Sequence, residues 1–366
     1  MAALKNGKKM IEEAYSIVGR YDPASISELT FNTKPFLLTC EADIIGLNVN
    51  EFDAIKSLSK VSSKDCKGHF GPKNPSGPES LRVPLLILSR IMAVTAQIAA
   101  RSIQHDMIPL PFSCKNIRAN NQNLIPPPAA IVAIATDLRA ENGFFKSRAL
   151  ARADGEPYAE MKELFLKLIP IDQFQRQNGI DDGRIPEKLV KNYSVEKEFD
   201  AWDIEDLILE RKPFQRLGRA ILLRSHDGDL KLITISKITK EDCAGQLLVD
   251  GQSTISPIDY AKVMALTAEL LASIVTRQRF EDFSVVPIAV KVDKVSTPNL
   301  KLLSPPATVI AEASISAKNL NDSRWVKRGK KIFRADATSA WVGGVEVARM
   351  KNILYALVPE DGFFEN

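Results

Sequence analysis

The chain has 366 residues, of which 45% are hydrophobic and 26% charged, a globular balance rather than a disordered or fibrous one. Its formal net charge of +4 gives no reason to expect a nucleic-acid partner. No apolar run reaches the ~18–20 residues that cross a bilayer, and the N-terminal MAALKNGKKMIEEAY has lysines but no apolar signal core, so a cytoplasmic protein without a membrane partner is expected.

In chain order, residues 1–20 are expected to form an N-terminal helical extension. A short helix at 22–31 leads into an extended hairpin, and a long apolar helix follows over Leu81–Ser102. Three alternating runs, Ala129–Leu138, Phe144–Ala153 and Tyr158–Leu168, read as a meander bounded by Asn-Gly and Asp-Gly turns. Residues 171–198 are polar and contain Asn178-Gly179 and Asp181-Asp182-Gly183, as a surface linker would. A second short helix at 200–211 precedes the hairpin Leu217–Arg224 and Leu230–Ile238, whose turn carries Asp227-Gly228. Another apolar helix spans Pro257–Arg277, and strands are expected at Ile288–Val292, Thr308–Ser316, Lys331–Trp341 and Val345–Leu357. Helices apolar on most of their circumference are wrapped by other structure. The fold class is therefore α+β.

The same order appears twice because the sequence is duplicated. Tyr21-Asp22 and Lys34-Pro35-Phe36 return as Phe199-Asp200 and Lys212-Pro213-Phe214, at an offset of 178 (200 − 22). Ser59-Lys60-Val61…Asp65-Cys66-Lys67-Gly68-His69 returns as Ser236-Lys237-Ile238…Asp242-Cys243-Ala244-Gly245-Gln246, at 177 (243 − 66). Pro127-Pro128-Ala129 returns as Pro305-Pro306-Ala307, while Ala159 and Met161-Lys162 return as Ala348 and Met350-Lys351 at 189, so copy two carries an insertion of about eleven residues between Ala307 and Ala348. A period this long denotes two domains rather than a solenoid. Agreement between the copies marks scaffold. Disagreement, as at His69 against Gln246, marks candidate chemistry.

The four cysteines, Cys40, Cys66, Cys114 and Cys243, form no CxxC and no metal-spaced cluster, so neither a metal nor a cofactor is expected. Cys66 and Cys243 are repeat equivalents and read as buried structural thiols. The densest basic stretch, Arg324–Arg334, lies in the copy-two insertion and reads as a solvated hairpin or as a patch for an acidic partner. His105 and His226 read as surface residues.

Gly68-His69-Phe70…Pro75…Pro78 leading into a long helix resembles the β-hydroxyacyl-acyl carrier protein dehydratases, including the fused dehydratase domains of polyketide and polyunsaturated fatty acid synthases. The resemblance covers almost the whole chain and implies a tandem (double) hotdog: His-bearing hotdog 1 over 21–170 and Asp-bearing hotdog 2 over 199–366. It implies dehydration of a 3-hydroxyacyl thioester, carried on an acyl carrier protein, to the trans-2-enoyl thioester. It also implies the residue roles. His69 is the base, with an imidazole pKa near the working pH. Asp259, in the first turn of the copy-two helix, is the acid, facing His69 from the other copy; the corresponding place in copy one is aligned with Pro84. Phe70 and Val263 fall to the substrate pocket, and a backbone N–H near Gly71 or Thr254 polarises the thioester carbonyl. The family's loop reads Gly-His-Phe-Pro-Gly, whereas this one reads Gly68-His69-Phe70-Gly71-Pro72, and Val263 stands where the family commonly has Gln. These departures favour an alternative, a non-catalytic double hotdog that binds acyl chains or a carrier protein; a hotdog thioesterase using Asp259 alone is a third reading. Monomer and homodimer are both open, since the fused repeat supplies the usual dimer contact.

Overall fold

A computed structural model describes residues 16–48, 51–67, 82–119, 125–211, 215–279, 285–321, 326–327 and 330–359. Copy one contributes strands β1 (Ser16–Tyr21), β2 (Thr39–Asn48), β3 (Glu51–Val61), β4 (Met107–Ala119), β5 (Ala129–Glu141), β6 (Phe144–Ala153) and β7 (Glu156–Pro170). Copy two contributes β8 (Tyr193–Phe199), β9 (Leu217–Ser225), β10 (Leu230–Ile238), β11 (Val285–Ser296), β12 (Ala307–Ile315), β13 (Val326–Lys327), β14 (Lys330–Val342) and β15 (Val345–Pro359). The helices are α1 (Pro23–Thr30), α2 (Leu85–Ile103), α3 (Glu187–Val190), α4 (Ala201–Leu207), α5 (Pro257–Arg279) and α6 (Ala317–Leu320).

Among the described residues the strands pair antiparallel and, apart from β13, which pairs with β14, run in one continuous order, β1-β2-β3-β5-β6-β7-β4-β11-β15-β14-β12-β10-β9-β8. The order is a palindrome of two equivalent seven-strand halves, joined where Ser113–Arg118 of β4 pairs with Lys291–Ser296 of β11. Each half wraps one long helix, α2 or α5, and this is the double hotdog. Copy one starts at a strand rather than a helix: Ser16–Tyr21 pairs with β2, so the helical extension expected through residue 20 does not reach these residues. The end of the expected linker, likewise, is β8, which pairs with β9 as β1 pairs with β2. Residues 1–15 lie outside the described residues.

Local chemistry sets the elements. Asp22 and Asp200 cap the two short helices α1 and α4 from equivalent positions, each accepting from backbone N–H groups of the first turn. Gly228, at φ +85°, closes the β9–β10 hairpin. Inside each hotdog the central helix meets the sheet through a hydroxyl pair: Thr95 and Ser57 in copy one, Thr267 and Thr234 in copy two, each 2.7 Å apart. Around those pairs the contact is apolar, with Ile91, Met92, Ile98, Val263, Leu270 and Leu271 fully buried or nearly so. By length and composition α2 could cross a bilayer, but 72% of that window is buried inside this fold, as in the core helix of a wrapped domain.

The copy-two insertion falls at one connection. In copy one a two-residue turn joins β5 to β6, whereas β12 and β14 are separated by α6 and β13. Its basic stretch is in part a hairpin, with Val326 paired to Lys331 and Lys327 to Lys330, and in part outside the described residues.

Candidate active site

Residues from the first turns of both long helices line two adjoining cavities. One is polar, about 220 Å³, and is lined by residues of both copies, among them Lys67, Arg90, Arg216, Gln246, Asp259 and Lys262. The other is apolar, about 140 Å³, and runs beneath the helices to the β4–β11 seam past Ala93, Ile117, Ala265 and Val295. Leu86, Arg90 and Ile258 belong to the walls of both, so the polar space opens onto the apolar one.

Asp259 sits at the polar wall and is 2% exposed. The local sequence explains its position. Pro257 opens α5, and from the first turn Asp259 Oδ2 reaches back to accept from the Ser256 N–H at 2.9 Å and from Ser256 Oγ at 3.2 Å. Oδ1 accepts from Arg216 Nη1 at 3.2 Å and from Gln246 Nε2 at 3.1 Å. Arg216, with its side chain 9% exposed, also pairs with Asp242 at 3.1 Å. Both oxygens of Asp259 are thus engaged by donors from its own copy. Gln246, in the place of the histidine, is its partner there.

His69, Phe70 and Gly71 lie outside the described residues. Lys67, two residues before His69, lines the cavity that Asp259 lines. Two other expected residues do not reach it. Thr254 is fully buried; its N–H donates to the Gln246 carbonyl at 3.3 Å and its hydroxyl accepts from Arg176 at 2.9 Å, so no N–H is left for a thioester. Val263 is fully buried in the core and lines neither cavity. The copy-one counterpart of Asp259 also shifts. Thr95 matches Thr267, and the bridge Val83–Ile125 matches Ile255–Leu303, which sets the helix offset at 172 (267 − 95). Ile87, not Pro84, therefore stands opposite Asp259. The shift arises between these points, because Val83 lies seventeen positions after Cys66 (83 − 66) and Ile255 only twelve after Cys243 (255 − 243).

The loop that carries Gln246 is fastened to copy one. Thr33 N–H donates to the Gly245 carbonyl at 2.8 Å, Leu248 N–H to the Phe31 carbonyl at 2.6 Å, and Leu247 N–H to Asn32 Oδ1 at 2.9 Å. Gly245 has φ +77°, and a Cβ there would lie 2.4 Å from the Thr33 carbonyl oxygen. Glycine is required at this position by both conformation and space.

Sequence reasoning passed over the cations. Arg90 and Lys262 are repeat equivalents at the offset of 172 (262 − 90) and enter the cavity from opposite helices. Burial lowers Arg90 to about 10 against the pull of Asp65 and Asp259. Burial, then the neighbouring Arg216, holds Lys262 well below the usual lysine range, with Arg90 adding to the repulsion and Asp259 and Asp242 opposing it. Arg216 was visible in the repeat, since it follows Lys212-Pro213-Phe214 where copy one has Leu38. Cys243 and Cys66 are fully buried at equivalent places, and burial pushes both thiols up, Cys66 to about 12.

No protein-family model and no curated protein matches the sequence. Among solved structures, the dehydratase domain from the CurK module of curacin polyketide synthase is similar at 12% identity and a TM-score of 0.48, covering 84% of this chain and 94% of that one. The dehydratase domain of a mycocerosic acid synthase-like polyketide synthase is similar at 9% identity and 0.49, covering 83% and 91%. A structure on dehydratase substrate selection for the borrelidin and fluvirucin synthases gives 10% identity and 0.45, covering 87% and 94%. Similarity at that level bears on neither the substrate nor the residues of this chain.

Proposed function

We propose that the chain dehydrates a 3-hydroxyacyl thioester, delivered by an acyl carrier protein in the cytoplasm, to the trans-2-enoyl thioester. The observation that carries this reading is the polar cavity built from both copies, with Asp259 in its wall and the chain leading to His69 at its edge. His69 removes the α-proton as a neutral imidazole, and Asp259 protonates the departing β-hydroxyl. The adjoining apolar cavity takes the acyl chain.

A second reading is favoured by one specific observation. Asp259 accepts four hydrogen bonds from Arg216, Gln246 and Ser256, which suits a structural carboxylate better than an acid that releases a proton. On that reading the chain binds acyl groups or their carrier without turning them over. Hydration of a crotonyl thioester, followed by loss of enoyl absorbance, separates the two. The dehydratase reading expects turnover that falls by about 10²-fold or more in both His69→Ala and Asp259→Asn, the scale of a lost acid or base. Absence of turnover in the unmodified chain, on coenzyme A and carrier-protein thioesters of several lengths, leaves the binding reading.

A further inference from the structure

The apolar cavity is walled by matching residues of the two copies. The seam itself is part of it, where Cys114 pairs with Val295 and Ile117 with Val292 across β4 and β11. Those four are two repeat pairs at the offset of 178 (292 − 114, 295 − 117). Ala93 of α2 and Ala265 of α5, equivalent at 172 (265 − 93), stand in the helix walls. The chamber is therefore shared by the two copies, and small side chains on both helices leave its room. That room is about 140 Å³. A dry cavity of about 150 Å³ in another protein holds one benzene, so a chamber of this size takes about six carbons.

The walls also set the chemistry of the tail. Two of their hydroxyls are spent on backbone: Tyr355 donates to the Ala265 carbonyl at 2.9 Å and Thr297 to the Phe112 carbonyl at 3.0 Å. Ser89, Ser113 and Arg90 are the other walls with polar nitrogen or oxygen, Arg90 being shared with the polar cavity, and the rest is hydrocarbon or sulfur. A ketone or hydroxyl carried deep into such walls loses its water without gaining a partner. We propose that the substrate's acyl group is an alkyl chain of about nine carbons without oxygen beyond its β-carbon: the carbonyl, α- and β-carbons in the polar cavity and about six more in the chamber. The inference rests on the proposed reaction for where the thioester lies. It excludes both long chains and chains oxygenated along their length.

The test is calorimetric titration of the full chain with saturated acyl-pantetheine thioesters from butyryl to tetradecanoyl, each below its aggregation concentration. Affinity is expected to rise about fourfold per added methylene, the scale of one buried CH₂, up to octanoyl or decanoyl, and to rise no further beyond. The 7-oxo-octanoyl thioester should bind at least ~10-fold more weakly than octanoyl. In Ala265→Leu the added side chain fills part of the chamber, and the break should move about three carbons shorter. Affinity that climbs through tetradecanoyl overturns the proposal, as does affinity that ignores length or the absence of binding by every member. Equal binding of octanoyl and 7-oxo-octanoyl overturns the unoxygenated tail, and a break that stays in place in folded Ala265→Leu overturns the chamber as its cause. The series in the unmodified chain decides even where the variant fails to fold. Saturated thioesters cannot be hydrated, so the two readings fail separately. Crotonyl hydration without a length break removes only this inference, and a length break without hydration removes the dehydratase reading and leaves a chamber selective for medium acyl chains.

Discussion

The two hotdogs share a frame and differ in what they bury. Four buried or half-buried positions of copy one hold neutral side chains where copy two holds ionisable ones. Leu38 and Ile87 stand where Arg216 and Asp259 form an ion pair, and Asn32 and Gln97 stand where Glu210 and Glu269 face each other. The hydroxyl pairs, the helix caps and the buried cysteines are the same in both. Copy one is neutral at these four places, although Arg90 of α2 lines the polar cavity. Copy two has charge built into its core, and charge in a core is costly unless it is partnered.

The sharpest way to break the comparison is to remove Arg216. Arg216→Met leaves Asp259 and Asp242 without their cation, and Asp259 is 2% exposed. A loss of about 3–5 kcal/mol in urea denaturation is expected, the scale for breaking a buried pair from one side. Arg216→Leu/Asp259→Ile copies the other hotdog and should recover most of that loss, because a buried pair replaced by apolar residues is often neutral or better. If the double variant is as unstable as the single one, the two copies do not follow one packing plan. The next effect is at Gly245, where the Gln246 loop meets copy one. Gly245→Ala forces φ +77° on a residue with a Cβ 2.4 Å from the Thr33 carbonyl oxygen, and a cost of about 1–3 kcal/mol is expected from the strain. Gly218→Ala, where a Cβ would stand 3.4 Å from its nearest neighbour, is the control and should cost less.

The duplication, both long helices and the copy-two hairpin could be read directly from the sequence, because apolar period and turn residues report local structure. Asp22 and Asp200 likewise announced their helices. What could not be read was anything set by contact between the copies. β4 was passed over because Met107–Ala119 contains Pro109 and Pro111, which interrupt a strand pattern. They are tolerated because the pairing with β11 begins only at Ser113, so that end of β4 has β7 alone beside it. The alignment of Asp259 with Pro84 failed for a similar reason: the offset changes from 177 (243 − 66) to 172 (267 − 95) between Cys66 and Val83, and it is the helix–sheet hydroxyl pairs and the bridges of Val83 and Ile255 that reveal it. Asp259 itself was legible as a first-turn acid. Its bonds to Arg216 and Gln246 were not, because those residues stand 43 and 13 positions away and only folding brings them to the same carboxylate oxygen.

The least disruptive change tests the second neutral-for-charged exchange and reads out as a slope. Glu210 and Glu269 face each other in the copy-two core, and Glu210 Oε2 and Glu269 Oε1 have no hydrogen-bond partner among the described residues. Two neighbouring buried carboxyls repel when both are ionised, so the pair favours keeping a proton. Burial raises both groups above the usual glutamate range; Glu210 in turn raises Glu269 further, while the same contact, with Arg211 and Lys262, draws Glu210 back down. Above ~4.3, the ordinary glutamate value, the unfolded chain has released protons that the folded chain still holds. The stabilisation is complete below that value and is lost as pH rises through the raised folded values, so stability should fall with increasing pH across this window. Glu269→Gln places the copy-one residue at the copy-two position and removes the shared titration. Its stability, measured by urea denaturation from pH 5 to pH 8, should decline less steeply than that of the unmodified chain, with the variant ahead at the alkaline end. Gln97→Glu, the reciprocal exchange, also breaks the Gln97 bond to the Pro109 carbonyl at 2.7 Å, so it should lose stability at every pH and lose more as pH rises. Parallel pH profiles for all three chains would mean that the copy-two carboxyls titrate as they would in water, and that the difference between the two cores is one of shape and not of charge.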